Sequence, residues 1–152
     1  MKKSSQTKAI INRRASFDYA LGDELVVGLE LSGAETKATR MGHVQLKGSY
    51  VTVRDNQLWL INASFSLANH EKGGGHTVDT RTRRILAHRK QIDQFVAAKN
   101  SGLTIIPLKM LTAGRYVKLV IATGKGKKHY DKRETIRRRD IERENKRAVK
   151  RF

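Results

Sequence analysis

The side chains this 152-residue chain offers for chemistry are overwhelmingly cationic: 32 Lys and Arg stand against 14 Asp and Glu, a net charge of +18. Three basic constellations stand out by residue type and spacing. Asn12-Arg13-Arg14 precedes an alternating apolar segment, where basic residues at the entrance to a sheet can pin phosphates on a rigid base, although a solvated arm has the same composition. Arg81-Thr82-Arg83-Arg84 lies at the predicted start of a helix, whose N-terminal N–H groups attract anions while guanidiniums add bidentate phosphate donors. Three arginines there oppose the positive end of the helix dipole unless an anion is bound, which favours a binding role. Gly124–Arg133 joins Lys125, Lys127, Lys128, Lys132 and Arg133 to two stackable rings, His129 and Tyr130, a set suited to phosphate contact with base stacking. Asp131 among these cations predicts a specific geometry, such as capping the helix that follows.

Other chemistries find little support. The five histidines, His43, His70, His76, His88 and His129, show no metal-ligand spacing, and His70 and His76 fall in a glycine loop. His88 reads as a surface or packing residue of a helix. No G-x-S-x-G frames a nucleophile, and Gly124–Lys128 lacks the full phosphate-loop pattern. There are no cysteines, so disulfides and thiolate metal sites are excluded. We therefore expect no catalytic residue, no metal and no cofactor. The charge excess points to a polyanion. No apolar run approaches the ~18 residues of a membrane span, and Ser4-Ser5-Gln6-Thr7 stands where a signal peptide needs an apolar region. A cytoplasmic protein with no membrane partner is expected.

The elements that must position these residues can be read from periodicity. Ala15–Leu21 alternates as a first strand and Leu25–Leu31 as a second, with Gly28 marking a bulge or barrel bend. Ser32 and Glu35 have capping-box spacing for a helix running to about Arg40 and stopping near Gly42. Ser49–Arg54 and Leu58–Ile61 form a hairpin about Asp55-Asn56. Residues 69–80 read as a mobile loop, and Arg83–Asn100 as a helix with Gly102 at its C-terminal cap. Leu103–Leu111 and Tyr116–Ala122 are further strands joined at Gly114. The predicted fold is mostly β with helices: a small OB-like antiparallel β-barrel flanked by helices, plus a basic C-terminal tail. An α+β sandwich is the alternative.

Charge divides the chain further. Residues 1–16 hold five basic residues and no acid, 17–124 hold 14 basic and nine acidic, and 125–152 hold 13 basic and five acidic. We read 1–10 as a flexible basic arm, 11–124 as the barrel and 125–152 as a tail. The tail has good helix formers but a broken apolar pattern (Ile136, Ile141, Ala148, Val149, Phe152), so disorder alone and a helix when bound are expected.

Several segments, taken in order, resemble the SsrA-binding (small protein B) family. They are N-R-R-A-S-F-D-Y (12–19), G-L-E-L-S-G-A-E-T-K-A-T-R (28–40), S-Y-V (49–51), T-R-R-I-L-A-H-R-K-Q-I (82–92), G-L-T-I-I-P-L (102–108) and K-G-K-K-H-Y-D-K-R-E (125–134). The resemblance implies an OB-like barrel that grips the tRNA-like domain of transfer-messenger RNA. It also implies a tail that enters the small ribosomal subunit and senses an empty mRNA channel in trans-translation. It places Asn12, Gly33, Glu35, Lys37, Arg40, Arg83, Arg84 and Lys118 on RNA-facing positions, and Tyr130, Asp131, Lys132 and Arg133 near the decoding centre. With Arg13, Arg14, Arg81, Lys125, Lys127 and Lys128 from the basic constellations, these are the expected contacts of a protein that is monomeric on its RNA. Relatives carry an acidic residue two positions before Gly28, where Val26 stands here; Glu24 or Glu30 can substitute. The rival reading is a ribosomal or general RNA-binding structural protein with no adaptor role.

Overall fold

The computed structural model describes residues 9–69 and 74–150. Ten strands and four helices follow in the order β1 (Ile10–Ile11), α1 (Ala15–Asp18), β2 (Tyr19–Leu29), α2 (Gly33–Arg40), β3 (Val44–Gln45), β4 (Tyr50–Arg54) and β5 (Gln57–Ile61). They continue with β6 (Ser64–Asn69), β7 (Gly75–Asp79), β8 (Arg83–Leu86), α3 (Arg89–Asn100), β9 (Thr104–Leu111), β10 (Lys118–Gly126) and α4 (His129–Val149).

One sheet runs β1-β9-β10-β2-β8-β5-β4, and β4 returns to β9 through Val51 opposite Ile105. Six strands thus close a ring, narrowly, since a single residue pair makes the last junction. The OB-like expectation holds in this form, with β3-β6-β7 as a second small sheet beside the ring. Inside lie Leu58, Leu60, Phe65, Ile85, Met110, Leu119 and Ile121, all fully buried, with Ile92 and Phe95 of α3 covering them. Val120 and Ala122 on the opposite face of β10 join Ala15, Ile106 and Leu108 in a second cluster under α1. β10 is buried on both faces, which is why it reads as an unbroken apolar run.

Local features follow the sequence reading. Ser32 and Glu35 form the capping box: the Glu35 N–H donates to Ser32 Oγ (3.3 Å) and the Ser32 N–H to Glu35 Oε2 (2.8 Å). Gly42 ends the helix at φ +79°, and Asp55 and Asn56 take the left-handed pair of φ values, 51° and 55°, that a two-residue hairpin turn needs. At Gly102, φ +84°, the chain leaves α3 with the Leu103 N–H donating to the Ala98 carbonyl (3.1 Å).

Other elements differ from expectation. Residues 15–18 form one helical turn and not a strand, because Ala15 is drawn into the second cluster, and the two predicted strands merge into one β2. Gly28 marks no bulge; a Cβ there would sit 3.1 Å from Leu86 Cβ, so it permits close β2–β8 approach. The irregularities fall elsewhere: β2 carries an extra residue about Gly22-Asp23 opposite Ala122–Gly124 of β10, and β9 one at Leu108 opposite Val120-Ile121. Residues 75–79 of the predicted loop pair with β6, while His70 lies outside the described residues. The predicted helix at Arg83 begins only at Arg89, because Leu58, Trp59 and Leu60 pair with Ile85, Arg84 and Arg83. β10 continues to Gly126, so Lys125 belongs to the sheet, opposite Ala20 of β2. The chain beyond β10 forms helix α4, with no buried residue. The expected N-terminal arm lies outside the described residues apart from Ala9 and Ile10.

Candidate nucleic-acid interface

The basic residues sort by where their strands and helices turn them. At the centre of one region is Glu35, fixed in the first turn of α2 and 1% exposed. Arg81 grips it with two bonds, Nε to Oε1 and Nη2 to Oε2, both 2.7 Å. Arg83 donates through Nε to Oε1 (2.9 Å), and its other donors reach the carbonyls of Arg81 (2.6 Å) and Ala63 (3.3 Å). Its guanidinium also lies 3.8 Å from the centre of the Phe65 ring. Burial alone would raise the Glu35 pKa, but bonds from Arg81 and the Ser32 N–H, with the charge and bonds of Arg83, outweigh it and hold the carboxyl at about 2. Burial also pushes the Arg83 pKa down, partly offset by Glu35, whereas Glu35 raises that of Arg81.

This arrangement corrects two expectations. Arg83 is 0% exposed and, with Glu35, ties β8 to α2; neither has a face left for RNA. The Arg81–Arg84 group also does not open a helix, so no helix N-terminus serves it. Arg81 and Arg84 remain exposed, Arg84 donating to Gln57 Oε1 (3.3 Å). Gly33, Lys37 and Arg40 are exposed on α2. Arg40 donates to the carbonyls of Gly114 (3.2 Å) and Arg115 (2.9 Å), which brings the β9–β10 turn to the helix. Lys118, exposed at the start of β10, stands opposite Gly28, which in turn stands opposite Leu86. The helix, β8 and this turn thus present Lys37, Arg40, Arg81, Arg84 and Lys118 on one body. Arg115 and Tyr116 at the same turn were missed, since nothing in the sequence links them to α2.

A second region surrounds α1. Asn12 is buried, its Nδ2 donating to the Pro107 carbonyl (2.9 Å) and its N–H to that of Leu108 (2.7 Å), so it lashes the chain to β9, while its Oδ1 has no hydrogen-bond partner among the described residues. Arg13 and Arg14 are exposed, Arg14 bridging to Asp18 (3.3 Å). The Asp18 carbonyl accepts from the Lys127 N–H (2.9 Å), Lys127 Nζ reaches the Ser16 carbonyl (2.9 Å), and Lys132 Nζ meets the Asp18 carboxylate (3.4 Å). Asp18, unnoticed in the sequence, therefore joins α1 to the end of β10 and the first turn of α4. Asp131 caps α4 as expected, accepting from the Lys128 N–H (3.2 Å). Lys125, Lys128, Tyr130 and Arg133 are exposed around this junction.

No helix among the described residues is long and apolar enough to cross a membrane. The family model described as SmpB protein matches residues 9–151. A relative named SsrA-binding protein from Oenococcus oeni is 41% identical over 143 residues, covering 93% of this chain and 91% of its own. Another of that name, from a Nostoc species, is 40% identical over 152 residues, 99% and 98% of the two chains. A solved structure described as "tmRNA-SmpB: a journey to the center of the bacterial ribosome" matches with a TM-score of 0.63 at 33% identity, covering 86% of this chain and 95% of that one. A match spanning nearly the whole chain, in sequence and in fold, places it plainly: this chain belongs to the SmpB protein family.

Proposed function

We propose that this protein binds the tRNA-like domain of transfer-messenger RNA and delivers it to stalled ribosomes for trans-translation. The observation that carries the reading is the full-length similarity to proteins named for binding SsrA, joined to two separate exposed basic regions on this chain. Gly33, Lys37, Arg40, Arg81, Arg84 and Lys118 on the body, with Arg13, Arg14, Lys125, Lys127 and Lys128, contact the folded RNA. Tyr130, Asp131, Lys132 and Arg133 meet the decoding centre of the small subunit, and α4 senses an empty mRNA channel there. The barrel ends at the Lys127–Lys128 junction, and α4 is largely unfolded until the ribosome holds it. The protein acts as a monomer on its RNA, in the cytoplasm, as a binding adaptor and not an enzyme. The test is a binding comparison of transfer-messenger RNA with an ordinary tRNA. Preference for the former is expected, and equal affinity would turn the assignment toward a general RNA-binding protein.

A further inference from the structure

Trp59 is the chain's one tryptophan, and it stands where core packing does not call for it. Along β5, Leu58 and Leu60 turn into the barrel while Trp59 alternates outward and is only part-buried. Its indole is nonetheless held in place, Nε1 donating to the Arg54 carbonyl (3.3 Å), between cross-strand neighbours Thr52 on β4 and Arg84 on β8. The ring forms one wall of a cleft of about 510 Å³, with Arg81, Arg84, Thr82, Ser32 and Glu30 around it. Glu35 fixes the guanidinium of Arg81 and Gln57 that of Arg84 before any ligand arrives.

We propose that this cleft takes one unpaired nucleotide of the RNA partner, its base stacked on Trp59 and its phosphate against Arg81 and Arg84. The inference rests on the RNA-binding reading above and adds to it the kind of nucleotide bound. A purely apolar ligand would strip water from two cations and the Glu30 carboxylate with nothing in return. A phosphate alone would leave the aromatic wall unused. In a duplex the phosphates are outermost and the base faces are hidden in the stack, so a helix could reach the arginines but not the indole. An unpaired nucleotide meets both, and the carboxylate of Glu30 offers an acceptor to an exocyclic amino group.

The single tryptophan makes the test direct. The full chain is titrated with a transcript of the tRNA-like domain, following Trp59 emission together with the anisotropy of labelled RNA. Emission should be quenched in step with binding and saturate at one RNA per protein. Trp59→Phe, which keeps a stacking ring, should bind within about threefold of the wild type, whereas Trp59→Leu should lose about fivefold or more at an unchanged melting temperature. RNA binding with unaltered emission, or full affinity in a folded Trp59→Leu, would overturn the cleft assignment and leave the RNA-binding reading standing. Failure of the wild-type chain to bind the transcript at all would overturn both.

Discussion

Glu35 sets an acid limit on the fold. Its carboxyl sits at about 2 in the folded chain against 4.5 ordinarily, so the stabilisation is complete above pH 4.5 and is lost as pH falls toward 2. The shift corresponds to about 3 kcal/mol. Urea unfolding across that window should show stability falling with acid, and Glu35→Gln should flatten the dependence; an unchanged slope in that variant would contradict the pairing. Removing the carboxylate of the buried pair, as in Glu35→Ala, should cost about 3–5 kcal/mol because it leaves the buried Arg83 guanidinium without its nearest counter-charge. Arg84→Ala should leave stability nearly intact and reduce the slope of log K against log salt by roughly 0.7–0.9, the signature of one lost phosphate contact. The two neighbours look alike in composition. Their difference is written only in the alternation of Arg83 and Ile85 inward against Arg84 and Leu86 outward, which a helical reading of the segment hides.

At the scale of elements, α4 differs from the rest because no residue in it is buried. It is held by the Asp131 cap and the Glu142–Lys146 pair at 2.6 Å within the helix, and by two contacts to α1, the Asp18 anchor at its first turn and the Arg139 guanidinium 5.7 Å from the centre of the Phe17 ring. Exposed pairs of this kind contribute only about 0.3–0.5 kcal/mol each. Amide exchange on the free protein should therefore find β9 and β10 strongly protected and α4 beyond Glu134 nearly unprotected; protection of that segment comparable with the barrel would contradict folding on the ribosome. The elements legible in the sequence are those fixed by neighbours in the chain: the capping box of α2, the Asp55-Asn56 hairpin and the doubly buried β10. β8 was not, because its strand character comes from β2 and β5 elsewhere in the chain, and an isolated Ile85 fits a helical face as well as a strand; β7 was not, because Gly75–Asp79 turns no apolar side chain inward. Asp18 and Asn12 were illegible for a related reason, since their partners, Lys132 and Pro107, lie far along the chain.

At the scale of the molecule, most of the net charge of +18 lies on a body that folds around a closed sheet and on a helix that stands on its surface. The body turns some of its basic residues to structural use, Arg83 above all, and exposes the rest near α2, β8 and the β9–β10 turn. The extension spends little charge internally, and the Asp18 junction is where it leaves the barrel. In the division of labour proposed here, gripping the RNA and engaging the ribosome belong to these two parts separately. Deleting residues 131–152 tests it most directly, with affinity for transfer-messenger RNA and peptide tagging on stalled ribosomes measured on the same preparation. Affinity should stay within about threefold of the full chain and tagging should be abolished, because the body's phosphate contacts carry the binding. A tenfold loss of affinity, or tagging that survives the deletion, would contradict it.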